Sequence, residues 1–151
     1  MGKVDAILAR MAGRRVYIDT NIFIYFLDRT PGFVHAASAI MVACASSQIF
    51  GVTGDAAVAE VMAGPYRADD TALAERFKQF FQRKNFLSVV GHDSSVFDTA
   101  SQLVGRKRMK FIDALHMATA LKADCTFLVT NDGGFKSSDS LEVVQLEKLI
   151  D

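Results

Sequence analysis

Apolar residues recur along this chain at two spacings, one helical and one extended. Val4, Ile7, Leu8 and Met11 follow helical intervals, so residues 3–12 read as a short amphipathic helix that Gly13-Arg14-Arg15 ends. Val16-Tyr17-Ile18 is a β-branched and aromatic strand, and Asp19-Thr20-Asn21 caps an almost wholly apolar helix over 21–28. Pro31-Gly32 makes a turn before an Ala-rich helix at 33–46. Gln48 to Thr53 reads as a second strand. Asp55 is the expected cap of a helix to Ala63, which Gly64-Pro65 is expected to stop. Asp69-Asp70 opens a helix over 69–84 whose basic end, Arg83-Lys84, suits the helix macrodipole. A third strand follows at Phe86 to Val90, then a helix from Asp93 or Ser94 to Val104 and another from Lys110 to Ala123. Thr126 to Val129 is a fourth strand and Val143 to Leu146 a weaker fifth.

Short apolar strands alternating with helices predict an α/β protein, a three-layer α/β/α sandwich around a mainly parallel sheet. With 151 residues, one domain over 1–151 is expected, and no linker, internal repeat or low-complexity segment divides it. A chain of this size needs no disulfide to fold. Cys44 and Cys125 lie inside apolar segments and read as buried free thiols in a reducing compartment. Residues 1–11 lack the apolar run of a signal peptide, and the apolar stretch Ile22–Leu27 is too short to cross a bilayer. The expected location is therefore the cytoplasm, without a membrane partner.

Basic and acidic residues balance at seventeen each, so any affinity for a polyanion has to be local. What stands out is the placement of four acids. Asp19 follows a strand in Ile18-Asp19-Thr20-Asn21. Glu60 lies within Val58-Ala59-Glu60-Val61, Asp113 within Phe111-Ile112-Asp113-Ala114-Leu115, and Asp132 follows a strand in Thr130-Asn131-Asp132. Singly, each has an ordinary explanation: Asp19 as an N-cap, Asp113 as an acid in a first helical turn, Asp132 as a turn residue. Glu60 is hardest to excuse, because its neighbours are apolar. Together they repel one another unless something relieves the charge. A bound divalent cation does so most simply, and metal-assisted phosphodiester chemistry is the simplest consequence.

These four motifs, in this order, resemble those of the PIN-domain nucleases over about residues 16–135, and within that family most closely the VapC-type toxins. The segment Asp113-Ala114-Leu115-His116-Met117-Ala118-Thr119-Ala120 and Thr130-Asn131-Asp132 are its most specific parts. The resemblance implies a PIN-like fold and a Mg²⁺- or Mn²⁺-dependent endoribonuclease, the toxin of a type II toxin–antitoxin pair. It implies that Asp19, Glu60, Asp113 and Asp132 bind the metal and carry the chemistry. Thr20, Asn21, Thr130 and Asn131 would support them by hydrogen bonds. An RNA substrate and an antitoxin protein are the implied partners. The chain departs from the pattern in its extra N-terminal helix, residues 1–13, and in Gly133-Gly134, where a further acid often precedes the Phe.

Arg106, Lys107, Arg108 and Lys110 precede Asp113 and could hold RNA phosphates at the mouth of the site, or form an ordinary solvated loop. His116 reads as a packed helix histidine rather than a substrate contact, and His35 and His92 have no evident partners. Phe77, Phe80 and Phe81, with Ile22, Phe23, Tyr25 and Phe26, read as core; their number also suits a homodimer or an antitoxin groove. Two rivals remain. A catalytically idle PIN-like module would bind RNA or protein without cleaving. A haloacid dehalogenase-like phosphatase would want an acid at position 21, where this chain has Asn21.

Overall fold

A computed structural model describes residues 2–151. The elements run α1 (Lys3–Met11), β1 (Arg15–Ile18), α2 (Thr20–Leu27), α3 (Val34–Ala45), β2 (Phe50–Gly54), α4 (Asp55–Arg67), α5 (Thr71–Gln82), β3 (Leu87–Val90), α6 (Ser94–Lys107), α7 (Phe111–Lys122), β4 (Phe127–Thr130) and β5 (Glu142–Gln145), closed by a 3-10 turn at Leu146–Leu149. The strands form one sheet in the order β3-β2-β1-β4-β5, and every pairing is parallel.

Alternation within the strands sorts side chains between two cores. Val16, Ile18, Phe127 and Val129 face the layer built by α1 to α5, whereas Tyr17 and Leu128 face Met117 and Ala120 of α7. The chain moves outward from β1 through β2 to β3 with α2–α5 on one face. It then returns to β4 on the far side of β1, placing α6 and α7 on the other face. Right-handed crossovers require this change of face when the strand order reverses. The reversal lies between β1 and β4, where α/β sheets open a crevice beyond the strand ends.

The α2–α5 layer is held by aromatic contact. Phe23 is fully buried and meets Phe81 edge-on with ring centroids 5.1 Å apart, and Phe80 meets Phe86 in the same way at 5.0 Å. Most of the apolar excess of α2 and α5 is thus used within the chain. The large apolar side chains left exposed are elsewhere, among them Phe97, Phe111 and Ile112 on α6 and α7. Cys44 and Cys125 are buried and free.

Several boundaries differ from the sequence expectation. Helix α4 continues through Gly64-Pro65 to Arg67. Pro65 lacks an N–H and so forgoes one helical bond, but the chain beyond it is held by Ala68 N–H to Gly64 O at 3.1 Å and Asp70 N–H to Pro65 O at 2.9 Å. The stop is Asp69, whose φ of 53° is left-handed. Asp55 does not cap α4: Gly54 occupies that position, and its cap comes from another part of the chain. Helix α6 passes Val104 to Lys107, so Arg106 and Lys107 are helical rather than in a loop, and Arg108 ends the helix at φ 55°.

Deleting the Phe23 ring removes the piece that joins α2 to α5. Phe23→Ala is expected to cost about 3–5 kcal/mol in urea unfolding; a loss under about 1 kcal/mol would show that this layer repacks without it.

Candidate active site at the strand reversal

Asp19 leaves β1 at the crevice and Thr130-Asn131-Asp132 leave β4 beside it. The two strand ends are joined by Asp19 N–H donating to Val129 O at 3.0 Å. The buried Asp19 carboxylate is held on both oxygens: Oδ1 accepts from Thr20 N–H at 2.8 Å, capping α2, and Oδ2 accepts from Thr130 Oγ1 at 2.6 Å. The capping and site readings of Asp19 therefore coincide. Thr130 Oγ1 in turn accepts from Asp132 N–H at 3.0 Å, so one hydroxyl fixes both acids.

The turn carrying Asp132 is braced further. Asn21 Oδ1 accepts from Asn131 N–H at 3.2 Å, and Asn131 Nδ2 donates to Tyr25 OH at 3.1 Å. The residue that a haloacid dehalogenase-like phosphatase would use as a second acid is thus an amide committed to a turn. Gly134 N–H donates to Asp132 Oδ1 at 2.8 Å. A Cβ at Gly134 would lie 2.7 Å from Asp113 Oδ2 and 3.3 Å from Asp132 Oδ1, so a larger residue there would push on Asp113. The glycine that departs from the expected motif leaves the space where two acids face one another.

Asp113 is buried in the first turn of α7. Burial raises its carboxyl above the usual range, Asp132 and Asp19 raise it further, and His116 and Lys110 pull against them. Burial likewise raises Asp19, opposed by His116, Thr130 and the Thr20 amide. Glu60 behaves differently. It projects from α4 at the exposed rim, and burial would raise it, but bonds from His116 and Thr20 outweigh that and hold it below the usual range. Both bonds fall on Oε1, each at 2.7 Å, from Thr20 Oγ1 and from His116 Nε2.

His116 is the residue whose role the sequence reading underrated. It is a packed helix histidine, as expected, but it is packed into the site. Its Nε2 lies 3.7 Å from Asp19 Oδ1, and its Nδ1 is 2.7 Å from the hydroxyl of fully buried Tyr17. The signal available in sequence was its place three residues after Asp113. Tyr17 was hidden because nothing in a strand pattern separates a core tyrosine from one that steadies a histidine.

A cleft of about 830 Å³ opens over Asp113 and Asp132. Lys107, Arg108 and Lys110 line it, as does Lys136, which sequence reasoning did not single out. Arg106 is not among the lining residues: it reaches back to Gln102 Oε1 at 3.2 Å on the exposed face of α6. The structure thus brings Asp19, Asp113 and Asp132 together, sets Glu60 beside Asp19 and His116, and separates Arg106 from its basic neighbours. Among the described residues, no group of three or more His, Cys, Asp or Glu side chains is arranged so as to hold a metal ion. The donors present are nonetheless all hard oxygens, and Asp113 lacks a full counter-charge, so the set fits a hard divalent cation.

The PIN domain family model matches residues 16–140, and the chain belongs to the PIN-domain family. No curated protein matches the sequence. Among solved structures, VapBC2 from Rickettsia felis, bound to a DNA fragment from its promoter, aligns with a TM-score of 0.67 at 16% identity, covering 87% of this chain and 98% of that one. A toxin–antitoxin complex from Klebsiella pneumoniae gives 0.67 at 18% identity, covering 87% and 97%. The sarcin-ricin loop cleaving toxin VapC20 of Mycobacterium tuberculosis gives 0.64 at 16% identity, covering 78% and 90%. The fold is therefore that of the VapC-type toxins. No helix among the described residues is long and apolar enough to cross a membrane.

The raised Asp113 carboxyl gives a test without substrate. A group whose folded pKa is raised favours folding at pH values below its ordinary pKa, and that contribution is lost as pH rises through the folded value. Asp113→Asn escapes this loss. It is expected to stabilise the metal-free protein by on the order of 1 kcal/mol at pH 7, with the advantage shrinking as pH falls toward 4. Parallel pH–stability curves for parent and variant in chemical denaturation would contradict the electrostatic description.

Proposed function

We propose that this protein is a metal-dependent endoribonuclease of the VapC type, the toxin of a type II toxin–antitoxin pair. The observation that carries the reading is the convergence of Asp19, Asp113 and Asp132 beneath a cleft lined by Lys107, Arg108, Lys110 and Lys136. Asp19, Asp113 and Asp132, with Glu60 alongside, would hold Mg²⁺ or Mn²⁺. When bound, such an ion supplies an activated water and neutralises charge at the scissile phosphate. The chain's own groups do the rest. The cleft cations hold backbone phosphates, a sequence-independent source of affinity. Thr130 and Thr20 keep Asp19 in place, and the Tyr17–His116–Glu60 chain fixes the rim.

The neighbours solved as toxin–antitoxin complexes support an antitoxin partner. A groove of about 420 Å³ between α2, α4 and α5, lined by Ile24, Leu27, Val61, Leu73 and Phe77 with Glu60 at its edge, suits an apolar segment of such a partner. The exposed Phe97 and Phe111, stacked within 7° of parallel, suit a homodimer face. The buried free thiols fit the cytoplasm. One observation favours the idle-module reading: Glu60 is already engaged by His116 and Thr20.

Cleavage of a labelled single-stranded RNA with Mn²⁺ separates the two readings. The parent is expected to cut, Asp19→Asn and Asp113→Asn to abolish cutting while still folding, and EDTA to stop it reversibly. No cleavage by the parent, or full activity in chelator, would contradict the nuclease reading. In binding assays, replacing Lys107, Arg108, Lys110 and Lys136 together by Ala should reduce the salt slope by about 1 for each phosphate no longer neutralised. Arg106→Ala should leave it unchanged. Equal slopes in all variants would return the cleft cations to solvent.

A further inference from the structure

His92 lies in the turn between β3 and α6, and all its polar contacts are made to other elements. Its Nε2 is 3.0 Å from Ala56 N, whose N–H points at the ring. Its Nδ1 is 3.0 Å from Thr119 Oγ1. The Thr119 hydroxyl already donates to Leu115 O at 2.7 Å, so it can only accept from the ring. That assigns the proton to Nδ1 and leaves the Nε2 lone pair for Ala56. A charged imidazole has no lone pair and cannot make the second bond.

This contact supplies the cap that α4 lacks from its own sequence. Gly54 has no side chain to offer and Asp55 makes no capping bond, whereas His92 takes the N–H of the second helical residue. The ring is closely seated: a Cβ at Gly54 would lie 2.7 Å from its Cε1 and 3.3 Å from Thr119 Cγ2. The edge of Phe97 closes the α6 side, with centroids 6.3 Å apart.

We propose that His92, as the neutral Nδ1–H tautomer, is a positioning residue that ties the start of α4, the helix carrying Glu60, to α7, the helix carrying Asp113 and His116. The two helices meet at the Glu60–His116 bond of 2.7 Å, and His92 joins them at a second point nearer the start of α4. Two fixed points set both the distance and the angle between the helices. The part of this role that concerns cleavage rests on the nuclease reading; the clamp itself does not.

The clamp makes the site sensitive to acid. Burial lowers the His92 pKa and His116 on α7 lowers it further, while Asp55 on α4 raises it. A lowered histidine pKa means a contribution to stability that is complete above the ordinary value and lost as pH falls toward the folded one. Glutamine offers an uncharged acceptor near the Nε2 position and does not titrate, which makes it the conservative control.

The experiment compares the full-length parent, His92→Gln and His92→Ala without metal. At pH 7.5 the Ala variant should melt about 2–4 °C below the parent and show faster Ala56 amide exchange and a shifted His116 ring nitrogen resonance. The Gln variant should restore all three. Between pH 7.5 and 5.5 the parent should lose melting temperature relative to Gln. In RNA cleavage, Ala should lower kcat with little change in KM, and Gln should recover it. An Ala variant with parental stability and unchanged Ala56 exchange would overturn the clamp, as would a Gln variant with the parent's pH slope. A destabilised Ala variant with an unmoved His116 resonance would overturn positioning and leave His92 as a cap alone. If the parent itself fails to cleave RNA, the nuclease reading fails, and the exchange and resonance data still decide the clamp.

Discussion

Three carboxylates have to be held close together at the end of a sheet, against their own repulsion, and most of the local structure is arranged around that conflict. The hydroxyl of Thr130 is the pivot. It donates to Asp19 from the end of β4 and accepts from the backbone of Asp132, so the two acids flanking the strand reversal share one anchor. Asp19 gains a second donor by capping α2. Asp113 is brought in by a helix on the opposite face and is left with burial and two like charges raising it. A fold tolerates such a place where a ligand takes up the charge.

The topology supplies the meeting point. β1 and β4 are neighbours in space but are separated by most of the chain, and the reversal of strand order between them leaves their carboxyl ends uncovered. Helix α4 then brings Glu60 to the rim from one layer and α7 brings Asp113 and His116 from the other. The two layers are tied by side-chain hydrogen bonds, Glu60 to His116 and Ala56 through His92 to Thr119. Those ties explain why His116 and His92, beside a site of acidic chemistry, are wholly or partly buried and bonded rather than pointing into the cleft.

The sequence made the elements and the four acids legible because each carries a local signature. Val16-Tyr17-Ile18 has the alternation of a strand, and Asp19 directly follows it. What it could not show were relations across the chain. Pro65 reads locally as a stop, yet α4 runs through it, giving up the one bond its N–H would make, and ends at left-handed Asp69. Asp55 has the type and place of a cap, but the cap comes from His92, 36 residues beyond Ala56 in the chain. Arg106 and Lys107 look alike in sequence, and only the phase of α6 turns one toward Gln102 and the other toward the cleft. Lys136 stood outside every motif because its relevance depends on where Gly133-Gly134 turn the chain.

The proposed nuclease requires the strand reversal to hold a divalent cation among Asp19, Asp113 and Asp132. Amide NMR during a titration with Mn²⁺ reads this directly, because a bound paramagnetic ion broadens only nearby resonances. The prediction is saturable broadening centred on the amides of Asp19, Asp113, Asp132 and Gly134, with α1 and α3 unaffected, and its loss in Asp113→Asn. Uniform broadening across the chain, or the same local pattern in the variant, would contradict the claim.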